Sequence, residues 1–503
     1  LANYPNRDGR IGNGVGLDTP AATVNLLKAL RDAGYDVRDL PVDGNQLVER
    51  LAAGPTNDAA ALPLREVRET LPLDDYRAFF ERLPEGARRR MTERWGRPED
   101  DPFFRDGVFA IPAFRCGNVA VGLQPARGYN IDPASSYHDP DLPPPHGYLA
   151  FHAWMRERFE AQAIVHMGKH GNLEWLPGKA LVLSGDCFPE VALGPLPHIY
   201  PFIVNDPGEG AQAKRRTQAV IIDHLTPPLT RAESYGPLRD LERLVDEYYE
   251  AAGLDPRRLG LLNREILALC RVTGIDDDCG IAADDDDEAA LGKLDNYLCE
   301  LKEMQIRDGL HVFGESPSGR RRDDLLLALV RVPRGTEQED ASLTRALSAD
   351  LGLDFDPLDC DMAAPWQGPR PGVLTGDVPW RSHGDTVERL EDLALRLITG
   401  EKAPDPAWPR TGAVLDDVET RVRPAVEACG GAEMEGLLTG LDGRFVEPGP
   451  AGAPTRGRPD VLPTGRNFYS VDTRTVPTPA AWTLGWKSAS LLIERHVQEH
   501  GAW

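Results

Sequence analysis

Residues 197–216 read PHIYPFIVNDPGEGAQAKRR and decide the fold class of this chain. The short apolar run Ile199–Val204 predicts a buried strand, and the Asp206-Pro207-Gly208 sequence after it predicts a turn into a helix. The first turn of such a helix has unpaired N–H groups and the positive end of the helix dipole, which suit an anionic ligand. A strand, a tight turn and a helix in succession predict α/β architecture.

Three basic side chains, Lys214, Arg215 and Arg216, end this predicted helix. In a chain of net charge −24, such a group can hold the carboxylates of a substrate. The alternative is a helix that packs on its sheet with its basic face in solvent, and the pattern alone leaves both open. Gly208 and Gly210 lack a third glycine, so the stretch is not a dinucleotide-binding fingerprint.

The stretch before it, AIVHMGKHGNLEWLPGK at residues 163–179, predicts the neighbouring strand and its loop. An amphipathic helix predicted at Tyr148–Ala161 precedes the apolar run Ala163–Met167, and that order favours a buried parallel strand. Glycines and a proline interrupt the residues that follow, so we predict a tight loop there rather than a helix. Ligands usually bind on loops at the carboxyl ends of parallel strands, which makes this loop a candidate site.

Two imidazoles and a carboxylate, His166, His170 and Glu174, are the candidate catalytic and metal-binding groups of this loop. Co²⁺, Zn²⁺ and Ni²⁺ favour imidazole with carboxylate, and both groups can accept a proton from an acidic N–H. The pattern H-x-x-x-H-x-x-x-E differs from the H-E-x-x-H pattern of zinc metalloproteases. A hydrogen-bonded turn with a capping histidine is the alternative, and the sequence leaves both interpretations open.

Composition restricts the class of protein. The 503 residues carry 56 Lys and Arg against 80 Asp and Glu, which disfavours nucleic acid and anionic membranes as partners. No run of about 18 apolar residues occurs, so no segment is expected to span a bilayer. The seven cysteines are odd in number and lack a C-x-x-C pair, which argues against a disulfide scaffold and favours a reducing cytoplasm. No P-loop motif is present.

The predicted organisation is a multi-domain α/β protein with a mixed, parallel-sheet core and a large, mainly helical region. Residues 1–230 form an α/β region that carries both motifs, and residues 231–440 form the mainly helical region. Residues 441–503 form a Pro/Gly-rich linker and a C-terminal segment that returns to the α/β core. The chain starts inside a motif, so we expect an internal fragment of a longer protein.

Other elements follow from periodicity, capping residues and glycines. His311 lies in an apolar setting and is interpreted as a structural histidine, while two acidic runs between residues 276 and 287 are interpreted as solvated turns. The predicted strands lie within residues 107–125, and the predicted helices are Pro20–Gly34, Leu238–Ala252, Leu259–Val272, Glu288–Gln305, Thr386–Leu397 and Pro479–Glu499.

The two motifs resemble those of the family of large subunits of aerobic cobaltochelatase and magnesium chelatase. The resemblance also covers residues 2–20, 305–314 and 462–470, and so most of the chain. GKHGNLEW at residues 168–175 and NDPGEGAQ at residues 205–212 are similar to the cobalt branch, whereas the magnesium branch tends to read G-T-H-G-S/A-L-E-F. Members of the family are much longer than this chain.

The resemblance implies insertion of Co²⁺ into hydrogenobyrinic acid a,c-diamide during aerobic cobalamin biosynthesis. It implies an ATP-dependent metal chelatase, a ligase that forms nitrogen–metal bonds. ATP and Mg²⁺ are then used by an AAA+ ATPase subunit with its integrin-domain companion subunit, which agrees with the missing P-loop. On this interpretation Glu174, His170 and His166 deliver the metal and accept protons, and the substrate is bound by Lys179, Trp175, Tyr200, Asn205, Lys214, Arg215 and Arg216.

Three alternatives belong to other classes. One is a magnesium chelatase large subunit that inserts Mg²⁺ into protoporphyrin IX. A second is a tetrapyrrole-binding protein without catalytic activity. A third, which ignores the resemblance, is a zinc hydrolase built on the His/His/Glu cluster. Metal insertion with partner subunits and ATP separates an enzyme from a binding protein.

Overall fold

The computed structural model describes residues 1, 11–128, 141–227, 244, 262, 264–270, 310–376, 379–469 and 479–501. The predicted helices Leu238–Ala252 and Glu288–Gln305 and the two acidic runs lie outside these residues, apart from residue 244. Residues 264–270, within the predicted helix Leu259–Val272, are helical.

Among the described residues the strands are short, and most α-helices are longer. The strands are β1 (Asn13–Gly14), β2 (Leu17–Asp18), β3 (Glu69–Pro72), β4 (Phe104–Arg105), β5 (Val108–Ile111), β6 (Ala113–Cys116), β7 (Val119–Gly122), β8 (Ile164–Val165), β9 (His198–Ile203), β10 (Val220–His224), β11 (Pro448–Pro450) and β12 (Asn467–Tyr469). The α-helices are α1 (Thr19–Asp32), α2 (Gly44–Ala53), α3 (Leu73–Glu81), α4 (Glu85–Trp95), α5 (His146–Ala153), α6 (Phe188–Leu193), α7 (Pro207–Arg216), α8 (Gly319–Val330), α9 (Leu343–Asp350), α10 (His383–Ile398), α11 (Pro409–Asp417), α12 (Arg423–Leu441) and α13 (Pro479–His500).

A three-stranded parallel sheet in the order β10-β9-β8 lies at the centre of the α/β region. Ile164 of β8 pairs with His198 of β9, and Val220 of β10 pairs with Ile199. Every residue of β9 is buried, as expected for a parallel strand that is covered on both faces. The predicted α/β class and the predicted strand, turn and helix at residues 197–216 are therefore confirmed.

Smaller sheets surround this centre. β3, β5 and β4 form one antiparallel sheet, β6 and β7 another, and β1 and β2 a short hairpin before α1. The α1 helix begins where the sequence predicts, because the Asp18 carboxylate accepts a hydrogen bond from the Ala21 N–H and Pro20 occupies the first turn. The hairpin therefore leads directly into a helix that is capped at its first residue.

Helices α8 to α12 pack on one another around an apolar core that includes Leu325, Leu347, Leu393, Val414 and Val426. The predicted helix Thr386–Leu397 lies within α10. This agrees with the predicted mainly helical character of this part of the chain.

The Pro/Gly-rich stretch before residue 466 packs against the parallel sheet rather than forming an open linker. β11 pairs with β12, Val461 and Leu462 are buried, and the Asp223 N–H of β10 donates to the Arg466 carbonyl at 2.9 Å. The stretch packs on the sheet because it buries these apolar side chains. The domain boundaries at 1–230, 231–440 and 441–503 stay a prediction, since most residues around the first boundary lie outside the described part.

The final helix α13 confirms the helix predicted at Pro479–Glu499 and exposes Trp482, Trp486 and Leu492. Among the helices that the structure describes, none combines the length and the apolar character needed to cross a bilayer.

Candidate functional site

The two predicted motifs meet at the carboxyl ends of β8 and β9. Asp206 follows β9 and caps α7 by accepting a hydrogen bond from the Glu209 N–H at 3.5 Å. The Lys169 ammonium comes from the loop after β8 and pairs with the carboxylates of both Asp206 and Glu209, the latter at 3.1 Å. Lys169 therefore joins the two motifs.

The loop after β8 is tight, as predicted. Gly168 has a φ of +96°, and a Cβ at this position would lie 2.5 Å from the Thr19 methyl carbon, so glycine is needed both for the turn and for the packing. The tip of the β1–β2 hairpin rests on the loop, because the Val15 N–H donates to the Lys169 carbonyl at 3.2 Å. Within the loop, the helical structure is limited to one 3₁₀ turn at Leu173–Trp175.

Glu174, Tyr200 and His166 form a buried polar cluster beneath this loop. Their exposed fractions are 1%, 0% and 7%, respectively. The Tyr200 hydroxyl donates to Glu174 Oε1 at 3.2 Å and accepts from the Gly171 N–H at 2.6 Å, and its ring centroid lies 4.6 Å from that of His166. Within the described part of the chain, Glu174 Oε2 and His166 Nε2 have no hydrogen-bond partner.

Burial sets the protonation of this cluster. It raises the pKa of Glu174 to about 8, and the hydrogen bond from Tyr200 only partly offsets this effect. Burial also lowers the pKa of the His166 imidazole well below its ordinary value. At neutral pH the cluster therefore holds a protonated carboxyl group and a neutral imidazole, both uncharged.

His170 is more exposed than the other two predicted ligands. It is half-buried, its Nδ1 lies 2.6 Å from the Gly171 carbonyl oxygen, and its ring lies 5.6 Å from that of Trp175. In the residues that the structure describes, no group of three or more His, Cys, Asp and Glu side chains is arranged to hold a metal ion. Side chains four residues apart share a face only on a helix, and this segment is a loop. The three-ligand set stays a prediction.

Arg216 has contacts different from those expected of a substrate ligand. Its buried guanidinium donates to the carbonyl oxygens of Glu174 at 2.8 Å, Leu176 at 2.7 Å and Lys179 at 3.1 Å. Arg216 therefore holds the loop around Glu174 against α7. It binds the loop rather than a substrate because its side chain lies on the buried face of α7.

Tyr200 also differs from its predicted role. Its ring is fully buried because β9 is covered on both faces, so the ring cannot stack on a bound macrocycle. Its hydroxyl group donates a hydrogen bond to the Glu174 carboxyl group instead.

The remaining predicted substrate-binding residues divide by exposure. Lys179, Asn205 and Arg215 are exposed and Trp175 is half-buried, so these four side chains are accessible on the two loops and α7, and together they are called the rim. The Lys214 ammonium is bound to the Asn467 side-chain oxygen, and burial lowers its pKa. Lys214 therefore links α7 to β12.

Two residues of the site are absent from those predicted. Lys169 bridges the motifs, and buried Asn172 ties the loop to its surroundings by accepting from the Tyr148 hydroxyl at 2.7 Å and donating to the Pro125 carbonyl at 3.0 Å. The sequence offered one signal for Lys169: a lysine in one motif and two acidic residues, Asp206 and Glu209, at the helix start in the other. That these residues pair is visible only in the fold.

Comparison with known proteins places the chain in a family. A family model described as CobN/Magnesium Chelatase matches residues 1–503. The chain is 64% identical to aerobic cobaltochelatase subunit CobN of Sinorhizobium sp and 61% identical to that of Pseudomonas aeruginosa, and in each case 100% of this chain covers 41% of the relative. It is 27% identical to the chloroplastic magnesium-chelatase subunit ChlH of Oryza sativa subsp. indica, with 99% of this chain and 37% of the relative covered.

A solved structure gives the same result. The catalytic subunit of cobaltochelatase from Mycobacterium tuberculosis is 39% identical with a TM-score of 0.65, over 100% of this chain and 42% of that chain. The chain thus spans about two fifths of the length of the curated relatives it matches. The resemblance seen in the sequence is confirmed, and the chain belongs to the CobN/magnesium chelatase family.

Proposed function

We propose that this chain is the part of a cobaltochelatase large subunit that binds hydrogenobyrinic acid a,c-diamide and inserts Co²⁺ into it during aerobic cobalamin biosynthesis. The observation that carries the proposal is the buried Glu174–Tyr200–His166 cluster at the ends of the parallel strands, beneath an accessible rim that includes cationic side chains. The much higher identity to cobaltochelatase subunits than to a magnesium-chelatase subunit supports cobalt as the metal.

The chemistry of insertion matches this cluster. The inner N–H hydrogen of the macrocycle leaves as a proton, all four ring nitrogens bind cobalt, and a base must accept what is released. Within this cluster, Glu174 Oε2 and His166 Nε2 are buried atoms without a hydrogen-bond partner among the described residues. An ionised carboxylate with a raised pKa is a stronger base than an ordinary glutamate, so Glu174 can take a proton from a pyrrole-type N–H.

Imidazole and carboxylate also suit Co²⁺ as a substrate metal. His170 lies nearer the surface and His166 and Glu174 lie deeper, so we propose that the cation meets them in succession rather than as one set. Metal contact and proton acceptance by Glu174 both require its ionised form.

The rim supplies contacts for the macrocycle. Lys179 and Arg215 carry exposed cationic groups that can bind its carboxylate side arms, Asn205 can hydrogen-bond to them, and Trp175 offers an aromatic face. Lys214 and Arg216 are occupied within the protein, so we assign them to holding α7 and the loop.

ATP use is assigned to other subunits. The sequence has no P-loop, and we propose an AAA+ ATPase subunit with an integrin-domain companion subunit as the cytoplasmic partners that use ATP and Mg²⁺. This chain spans about two fifths of the length of the curated relatives it matches, and we propose that the partners act with a full-length subunit.

The test is Glu174→Gln in the full-length subunit, reconstituted with its partner subunits. Positioned proton transfer contributes about 10²–10⁴ in rate, so we expect single-turnover cobalt insertion to fall at least about 100-fold. Binding of hydrogenobyrinic acid a,c-diamide, followed by absorbance titration, should remain, and protoporphyrin IX should bind more weakly.

The matched control is Glu190→Gln, which removes a carboxylate on α6. It should insert cobalt at the normal rate. Near-normal insertion by Glu174→Gln would assign Glu174 to structure and place the chemistry elsewhere.

A further inference from the structure

A second buried polar cluster lies on the other side of the parallel sheet, around Glu433 of α12. The Glu433 carboxylate is 0% exposed and accepts hydrogen bonds from His311 Nε2 at 2.8 Å, the Thr464 hydroxyl at 2.7 Å and the N–H groups of Leu225 and Gly314 at 2.9 and 3.0 Å. One carboxylate thus joins four separate segments of the chain.

His311 connects this carboxylate to the β1–β2 hairpin. The backbone N–H of His311 donates to the Gly16 carbonyl at 3.1 Å, and its backbone carbonyl accepts from the Asp18 N–H at 2.9 Å. Both backbone groups of His311 are used by the hairpin while its side chain is used by Glu433. His311 is therefore bonded both to the hairpin and to the buried carboxylate.

The hairpin in turn rests on the candidate site. The Val15 N–H donates to the Lys169 carbonyl, and a Cβ at Gly14 would lie only 3.7 Å from Gly168 Cα, which shows how closely the two backbones approach. Leu17 and Met167 belong to one apolar cluster beneath this contact. A path of direct contacts therefore runs from Glu433 to Lys169.

We propose that His311 and Glu433 are positioning residues for the site loop, residues 168–171. They hold the hairpin on the loop, and the hairpin holds Lys169 between Asp206 and Glu209. The separation of the two motifs, and with it the place of Glu174 under the rim, then depends on a pair of residues that touches neither substrate. This inference rests on the function proposed above.

The first test compares hydrogen exchange in His311→Gln and Asp417→Asn variants of the full-length subunit. Asp417 forms a buried ion pair with Arg334 at 3.0 Å in the helical region, so its loss is a matched structural defect at another place in the fold. Both variants should lower the thermal midpoint. Only His311→Gln should speed amide exchange in residues 13–18 and 166–175, by about tenfold or more, the usual effect of losing a hydrogen bond to a charged group.

Val15→Pro tests the same connection if His311→Gln does not fold. It removes the N–H that bonds to the loop at an exposed position and leaves the buried pair intact. Faster exchange confined to the loop supports the proposal. Unchanged exchange in the loop, or equal acceleration in Asp417→Asn, would overturn it.

A double-mutant cycle supplies the functional readout. His311→Gln and Lys169→Met should each slow cobalt insertion, and the double variant should insert at the rate of Lys169→Met alone, because the effect of His311 passes through Lys169. Asp417→Asn should insert normally per folded molecule. Additive effects in the cycle would overturn the positioning role. If the wild-type complex inserts no cobalt, the proposed function fails, while the exchange comparison still decides the positioning role.

Discussion

Glu174 and Glu433 are equally buried and have opposite electrostatic states. Burial acts to raise the pKa of both carboxyl groups. At Glu174 it prevails and gives a pKa of about 8, whereas at Glu433 the charge and hydrogen bond of His311 outweigh it and the pKa is lowered. His311 and the number of donors together explain the difference: both oxygens of Glu433 accept hydrogen bonds, and Glu174 Oε2 has no partner among the described residues.

This difference separates a structural anion from a group suited to chemistry. A carboxylate surrounded by donors is held in one charge state and fixes the segments that donate to it. A buried carboxyl group with donors at only one of its oxygens keeps its proton near neutral pH and presents the other oxygen to a substrate. Each prediction below tests one part of this contrast.

The largest expected effect is on stability. Glu433→Gln replaces a buried carboxylate that accepts hydrogen bonds from His311 and three further donors, and each hydrogen bond to a charged group contributes about 1.5–3 kcal/mol. Glu174→Gln replaces a protonated carboxyl group with an amide of similar shape, so its free energy of unfolding should change by less than about 1 kcal/mol at pH 7. Denaturant unfolding of both variants measures the two values side by side. Similar losses in the two variants would show that the two carboxyl groups are not different in kind.

Local chemistry made much of the fold predictable from the sequence. The Asp-Pro-Gly turn fixed the start of α7, and the glycines of the loop after β8 excluded a helix. The buried strand at Ile199–Val204 followed from its unbroken apolar run. These features depend on residues that are close together along the chain.

The contacts that define the site depend on residues that are far apart in sequence. Tyr200 lies under Glu174 because β8 and β9 pair with Val165 opposite Ile199, and no local pattern sets that register. Arg216 was predicted to bind substrate because its residue type suits carboxylates, yet its position on the buried face of α7 gives it loop carbonyls instead. The His311–Glu433 pair joins residues 122 positions apart and could not be found from spacing.

The next effect concerns pH. Because the pKa of Glu174 is raised to about 8, the carboxyl group is protonated below that pH and ionised above it. If the ionised form is the active one, cobalt insertion should rise about 50-fold between pH 6 and pH 8 and then level off. The Glu174→Gln variant should lack this rise.

ATP hydrolysis by the partner subunits, measured at each pH, controls for effects on the energy-supplying step. The substrate is the same for both proteins, so its own titration cancels in the comparison. A wild-type profile that is flat across this range would contradict a proton-binding role for Glu174.

The smallest effect compares two neighbours, Arg215 and Arg216, which the sequence treats alike. Arg215 is exposed on the rim, so Arg215→Ala should weaken macrocycle binding about tenfold, the loss of one charge-assisted hydrogen bond, and change stability by less than about 0.5 kcal/mol. Arg216→Ala leaves three loop carbonyls without their donor, so it should lower the unfolding midpoint and disturb insertion through Glu174. Absorbance titration and denaturant unfolding separate the two outcomes. The reverse pattern, with Arg216 deciding affinity and Arg215 stability, would mean that the rim does not bind the substrate.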